Sequence, residues 1–256
     1  MAYANIKNIM AELKLRGMLH EFEATMVEAV KEGWPVTEVL DHLLQSEQDW
    51  RKEKKTENLI KYARLQQKPN LEDFDFTAKR NIVKSQIKEL YKLKWLEQGR
   101  PIILVGPTGV GKTFLAQALG YQACLNGKTT LFMSLSTLME NQMLARSSQN
   151  YLKFRDKLIK PDLFIIDDFG LRKFTTQEAH DLNDLIKERV GSKSIIITTQ
   201  IPIKNWGELI EDPVVADTII DQLIHPAIEI IAKGESYRGV KARKLERLID
   251  FNPENK

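Results

Sequence analysis

The chain has 256 residues, with 38 Lys and Arg against 35 Asp and Glu, a net charge of +3 and a pI of 8.7. That mild basicity permits a nucleic-acid partner without demanding one, and a hydrophobic content of 43% excludes wholesale disorder. Cys124 is the single cysteine, which excludes an intramolecular disulfide and a cysteine-built metal site, and His20, His42, His180 and His225 lack ligand spacing.

The N-terminus carries Lys7, Glu12, Lys14 and Arg16 within its apolar pattern, unlike a signal peptide. No apolar run approaches the ~20 residues of a membrane span, so a cytoplasmic protein is expected. Residues 1–68 read as helical. Ile6, Ile9, Met10 and Leu13 repeat at helical spacing, and Leu19, Phe22, Met26 and Val30 follow after a break near Gly17. Gly33-Trp34-Pro35 is a turn. The helix beyond it becomes basic, with Arg51, Lys52, Lys54, Lys55, Lys61, Arg64 and Lys68 set against Glu53 and Glu57. Such a run is either a solvated face or a surface for a phosphate backbone.

Pro69 to Phe76 marks a boundary, because proline breaks the helix and acids interrupt the basic composition. This divides the chain into a helical domain over 1–68, a connector over 69–78 and a second domain over 79–256. Phe74 and Phe76 alternate with acids, as in an extended segment that docks its rings on the next domain. An amphipathic helix over 79–94 is expected next, with Val83, Ile87, Leu90 and Tyr91 on one face and Lys79, Arg80, Lys84, Lys88, Lys92 and Lys94 as a second basic cluster.

From residue 101 onward, strands and helices alternate. Buried strands are expected at 101–105, 129–133, 163–166, 194–199 and 227–231. Helices are expected after the first strand, at 135–146, at 149–159, from a Thr175–Glu178 capping box to Val190, and from Asp212-Pro213. Five apolar strands separated by helices predict an α/β fold, a parallel sheet covered on both faces.

The stretch Gly106-Pro107-Thr108-Gly109-Val110-Gly111-Lys112-Thr113 matches the phosphate-binding pattern G-x-x-x-x-G-K-[ST] at every position. A strand precedes it and a helix-forming run follows it. Glycines let backbone N–H groups turn inward around phosphate oxygens, and the helix N-terminus adds partial positive charge. Lys112 is expected to bridge the β- and γ-phosphates of ATP, and the Thr113 hydroxyl to ligate Mg²⁺.

The strand Leu163 to Ile166 runs into Asp167-Asp168, placing carboxylates where open α/β sheets bind ligands. Asp167 suits Mg²⁺ coordination, and Asp168 suits orienting and deprotonating a water that attacks the γ-phosphate. The strand 194–199 leads into Gln200. Gln200 and Thr199 both qualify to bond the attacking water or the γ-phosphate. After the last strand, Arg238 in Gly234-Glu235-Ser236-Tyr237-Arg238 can stabilise phosphate charge.

With these motifs placed, the chain resembles the IstB-type helper ATPases of insertion-sequence transposition and, more distantly, DnaC-type helicase loaders, both of the AAA+ class. The resemblance rests on Leu13-Lys14-Leu15-Arg16-Gly17-Met18, Phe74-Asp75-Phe76, Trp95-Leu96-Glu97-Gln98-Gly99, and the phosphate loop with its helix. It continues through Ile165-Ile166-Asp167-Asp168-Phe169-Gly170, Ile197-Thr198-Thr199-Gln200 and Gly234 to Arg238. It implies sheet order 5-1-4-3-2 and an all-helical N-terminal domain. It also implies ATP between the subunits of a homo-oligomer on duplex DNA, DNA remodelling, and delivery or activation of a transposase. In that resemblance Asp167 and Asp168 match the metal and catalytic acids, Gln200 the first sensor and Arg238 the second.

One departure stands out. Asp221-Gln222-Leu223 occupies the place where such proteins carry Asp-Arg-Leu, so the arginine finger is missing. Either Arg172 or Arg189 substitutes, or hydrolysis is weak. A replicative helicase loader shares the same core and is the alternative function. A small-molecule kinase would need an arginine-rich lid, which is not found. A DNA-bridging protein that binds ATP without hydrolysing it stays open through Gln222. The expected duplex-contacting surface comprises the basic stretches 51–68 and 79–94 with Arg146, Lys153, Arg155 and Lys157, gripping phosphates with little sequence preference.

Overall fold

The computed structural model describes residues 2–78 and 80–237. It falls into two compact units, Met1–Asn58 and Leu59–Lys256.

The first unit holds α1 (Ala2–Glu12), α2 (Arg16–Glu32) and most of α3 (Val36–Ala63), and the boundary falls inside α3. Met10, Met18, Phe22 and Leu43 form its buried core, following the helical periodicity of the sequence. Gly17 is where α2 meets α3. A Cβ there would lie 2.5 Å from the Ser46 carbonyl oxygen and 2.7 Å from the Trp50 Cβ. Glu47 closes the same junction, because its carboxylate accepts from the N–H groups of Gly17 at 2.7 Å and Met18 at 3.2 Å. These are free donors of the first turn of α2, so Glu47 caps that helix from a distance in sequence. Helix α3 ends at Ala63, five residues short of the expected 68, and Arg64 takes a left-handed backbone with φ 55°.

The second unit is organised by five parallel strands: β1 (Ile102–Val105), β2 (Thr130–Ser134), β3 (Leu163–Phe169), β4 (Ser194–Thr199) and β5 (Ile228–Ile231). Their order is β2-β3-β4-β1-β5, the expected 5-1-4-3-2 read from the opposite edge. Alternate residues of each strand feed two cores. Ile103, Phe164, Ile166, Ile195 and Ile197 pack with Leu138 of α7 (Leu135–Ser147), Leu158 of α8 (Tyr151–Ile159), Ile186 of α9 (Thr176–Arg189) and Leu223 of α10 (Pro213–Ile224). Ile102, Leu104, Ile165 and Ile196 pack with Leu115 and Leu119 of α6 (Lys112–Leu125). Burial on both faces explains why these strands read as continuous apolar runs. Cys124 is buried on α6, as a small core residue.

Local signals hold at several element ends. Thr175 and Glu178 form the capping box of α9, and the Asp212 carboxylate accepts from the Val214 and Val215 N–H groups at the start of α10. The expected helix over 79–94 is corrected. Only α4 (Lys84–Leu90) and the single turn α5 (Lys94–Glu97) are helical. Leu93 takes a left-handed conformation between them, with φ 60°. The residues before α4 cannot wind into it, because the Arg80 carbonyl accepts from the Lys233 N–H at 2.9 Å and Asn81 bonds the Ile231 carbonyl. Ile87 and Leu90 are buried as expected, whereas Val83 is 55% exposed. Phe74 docks its ring, lying 4.8 Å from Phe76 and 5.7 Å from Phe114 between centroids.

Candidate active site

The site lies at the carboxyl ends of β1, β3 and β4. The loop after β1 enters α6 through Gly111, whose φ of 102° belongs to the left-handed region. A Cβ at Gly111 would come within 2.8 Å of the Phe74 ring, so both conformation and space call for glycine. Lys112 is buried, and its ammonium donates to the Pro107 carbonyl at 2.9 Å, curling back over the loop. Burial lowers its pKa, opposed by the charges of Asp168 and Asp167.

Thr113 and Asp167 meet across the cleft. The Thr113 hydroxyl donates to Asp167 Oδ1 at 2.9 Å, and the Thr198 hydroxyl donates to the same oxygen at 2.5 Å. Burial raises the Asp167 pKa, against the hydrogen bonds from Thr198 and Thr113 that lower it. A buried carboxylate beside a threonine hydroxyl is a hard-oxygen donor pair that fits Mg²⁺ held with substrate phosphates and water. Among the described residues no group of three or more His, Cys, Asp or Glu could form an all-protein metal cage.

Asp168 is solvent-exposed and carries φ 58°. The β3–β4 register slips between Ile166 and Phe169, so the chain bulges at the two acids. The Asp168 N–H donates to the Thr198 hydroxyl at 3.1 Å. A non-glycine residue in this conformation persists only where its surroundings fix it.

Thr198 is the residue that sequence reasoning missed. In the sequence it reads as one more strand residue, yet it joins both acids. Its neighbour Thr199 is committed to the backbone, donating to the Phe169 carbonyl at 2.8 Å and accepting from the Ile201 N–H at 3.0 Å. Gln200 lies exposed just beyond β4. The structure thus brings together the loop, Lys112, Thr113, Asp167 and Asp168, and gives the inward hydroxyl to Thr198. Arg238 lies outside the described residues, as do Lys79 and the basic tail.

The substitute fingers divide. Arg189 is fully buried, donating to the carbonyls of Leu158 at 2.7 Å, Ile159 at 3.0 Å and Ser194 at 2.8 Å. It cannot reach a neighbouring subunit, which corrects its candidacy. Arg172 is exposed and grips the Glu178 carboxylate with both terminal nitrogens. Gln222 carries a buried Oε1 without a hydrogen-bond partner. The expected duplex surface also needs correction. Arg80 is buried, Arg146 pairs with buried Asp181 and lies 4.0 Å over the Tyr151 ring, and Arg155 pairs with Glu188.

The model of the IstB-like ATP binding proteins matches residues 8–245. The chain belongs to this family. It is 34% identical over 230 residues to an insertion-sequence ATP-binding protein of Sinorhizobium fredii, spanning 90% of this chain and 94% of that one. The second unit has the AAA+ fold. The chain resembles AMPPCP-bound DnaA of Aquifex aeolicus with a TM-score of 0.57 and 21% identity, over 75% of this chain and 58% of that one. It also resembles the DnaC helicase loader with a TM-score of 0.50 and 18% identity, over 58% of this chain and 87% of that one. The family's description and the relative's name both record ATP binding. No helix among the described residues is long and apolar enough to cross a membrane.

Proposed function

We propose that this IstB-like protein is an ATP-dependent helper of transposition, which assembles as a homo-oligomer on duplex DNA, remodels it and recruits or activates a transposase. The observation that carries the enzymatic part is the Thr113–Asp167 hydrogen bond of 2.9 Å, spanning from the phosphate loop to the tip of β3. The transposition part is supported by the family and by a full-length relative named for its insertion sequence.

Gly106, Pro107, Thr108, Gly109, Val110 and Gly111 wrap the ATP phosphates; the backbone N–H donors come from Thr108 onward, since Pro107 has none and the Gly106 N–H is given to the Thr199 carbonyl, and the N-terminus of α6 adds its partial positive charge. Lys112 leaves the Pro107 carbonyl and takes up the β- and γ-phosphates. Thr113 and Asp167 hold Mg²⁺, which would neutralise charge on the phosphates when bound. Asp168, exposed beside the cleft, orients the attacking water and accepts its proton. Gln200 reports on the γ-phosphate from the tip of β4, and Arg238 offsets its charge. With Gln222 in the finger position, turnover is slow, and ATP acts chiefly as the ligand that licenses assembly.

The DNA surface is reduced by the ion pairs described above. Lys52 and Lys55 of the first unit are exposed, as are Lys61, Arg64, Lys68, Lys84, Lys88 and Lys153 of the second, and each set carries phosphate contacts of its own. Sedimentation of the protein with duplex DNA, with and without ATP, beside a phosphate-release assay, tests the proposal. ATP-dependent assembly with salt-sensitive binding is expected. A monomer that ignores duplex DNA would overturn it.

A further inference from the structure

Arg80 has no place in the reaction described above, yet it is among the most deeply buried cations of the second unit, at 4% exposure. Its guanidinium lies between two rings, 4.1 Å from the Phe74 centroid and 4.6 Å from that of Tyr237. One terminal nitrogen donates to the Val110 carbonyl at 3.1 Å, and the other donates to the Asp75 carbonyl. Burial lowers its pKa, against the charge of Asp75. A cation is expensive to bury on two carbonyls and two ring faces, and a leucine would fill such a space at lower cost. What the guanidinium adds is a fixed direction for the Val110 carbonyl.

That direction matters because Val110 and Gly111 share one peptide plane. In a trans peptide the C=O and the following N–H point to opposite sides. A Val110 carbonyl pulled toward Arg80 therefore turns the Gly111 N–H away from it, to the inner side of the loop. The same construction recurs one residue earlier. The Tyr237 N–H donates to the Gly109 carbonyl at 2.9 Å, which turns the Val110 N–H away from Tyr237. Arg80 and Tyr237, stacked on one another, thus hold two successive loop carbonyls outward. The fit is close, since a Cβ at Gly111 would lie 3.1 Å from the Arg80 terminal nitrogen.

We infer that Arg80 is a positioning residue of the phosphate loop: by holding the Val110 carbonyl outward, it keeps the Gly111 N–H aimed at the phosphates of bound nucleotide. The inference deepens the reading of this loop as the ATP cradle and rests on it.

The test uses the full chain with MgADP as the probe. R80M removes the donors and keeps bulk, R80Q retains one neutral donor, and K112A is the control for the loop itself. Binding is measured by titration calorimetry, and the Gly111 amide is followed by NMR on glycine-labelled protein. R80M is expected to bind MgADP roughly tenfold to hundredfold more weakly, the loss of one N–H bond to a charged phosphate. The Gly111 resonance should move far less on MgADP addition than in the wild type. R80Q should fall between the two. A residue that served stability alone would lower the melting temperature and leave both readouts unchanged in folded protein. The inference is overturned if folded R80M, or folded R80Q where R80M does not fold, binds within twofold of wild type with a normal Gly111 shift. K112A separates the failures. If K112A abolishes binding and the Arg80 variants do not, only this inference falls. If K112A also binds normally, the cradle reading falls with it.

Discussion

Thr198→Val is the sharpest perturbation of the site, because it keeps the shape of the side chain and removes one hydroxyl. That hydroxyl donates to Asp167 Oδ1 at 2.5 Å and accepts from the Asp168 N–H at 3.1 Å. Losing a bond to a charged carboxylate costs about 1.5–3 kcal/mol, and an unpaired buried N–H about 1–3 kcal/mol. Partial solvation of the Asp168 amide lowers the second figure, so about 2–4 kcal/mol of destabilisation is expected. The pH dependence follows from Asp167, whose folded pKa lies above 3.8 because burial outweighs the bonds from Thr198 and Thr113. An acid raised on folding contributes stability that is complete below its unfolded pKa and is lost as pH rises through the folded one. Removing the hydroxyl raises the folded pKa further, so the gap between variant and wild type is smallest in acid and widens as pH climbs above 3.8. Urea unfolding between acid and neutral pH measures this gap, and Mg²⁺ titration of ATP binding reads the carboxylate directly. A variant within about 0.5 kcal/mol of wild type at neutral pH, with an unchanged Mg²⁺ requirement, would refute the role given to Thr198.

Glu47→Gln should destabilise the first unit by about 1–2 kcal/mol at neutral pH, through weakened charge-assisted bonds to Gly17 and Met18. Burial pushes the Glu47 pKa up, but the Arg51 bond and the two amides together hold it below 4.5, so the wild-type advantage is present above 4.5 and is lost as pH falls through the lowered value. Circular dichroism melts across that range check it. Thr175→Ala removes the cap of α9 and should cost about 1 kcal/mol, measured by urea unfolding. Gln222→Arg should raise DNA-stimulated phosphate release by roughly tenfold or more, and no gain in the assembled oligomer would show that the finger position does not face a neighbour's nucleotide.

The parallel sheet was legible because its strands are buried on both faces and write themselves as unbroken apolar runs. The phosphate loop was legible because backbone geometry demands glycine at fixed spacing. The capping box at Thr175 and the Asp212-Pro213 start are local chemistry, and local chemistry survives folding. What stayed hidden depends on partners distant in sequence. Arg80 reads as one more lysine-helix neighbour until Phe74, Val110 and Tyr237 converge on it. Arg146 and Arg155 read as free charge until Asp181 and Glu188 arrive from another helix. Thr198 looks like a β-former in a strand, and only the bulge at Asp167-Asp168 turns its hydroxyl into a link between two acids.

Arg189 gives the sheet two unlike ends. Its guanidinium ties the last carbonyls of α8 to the first residue of β4, at the ends of the strands away from the Gly106–Thr113 loop. Burial brings its pKa down to about 10, so it stays charged at neutral pH and answers the negative pole of that helix. The foot of the sheet is thereby anchored by a group that takes no part in chemistry. The tips, where Asp167 and Asp168 sit, are held instead by the Thr198 hydroxyl, so the two ends of the sheet are fastened by separate groups.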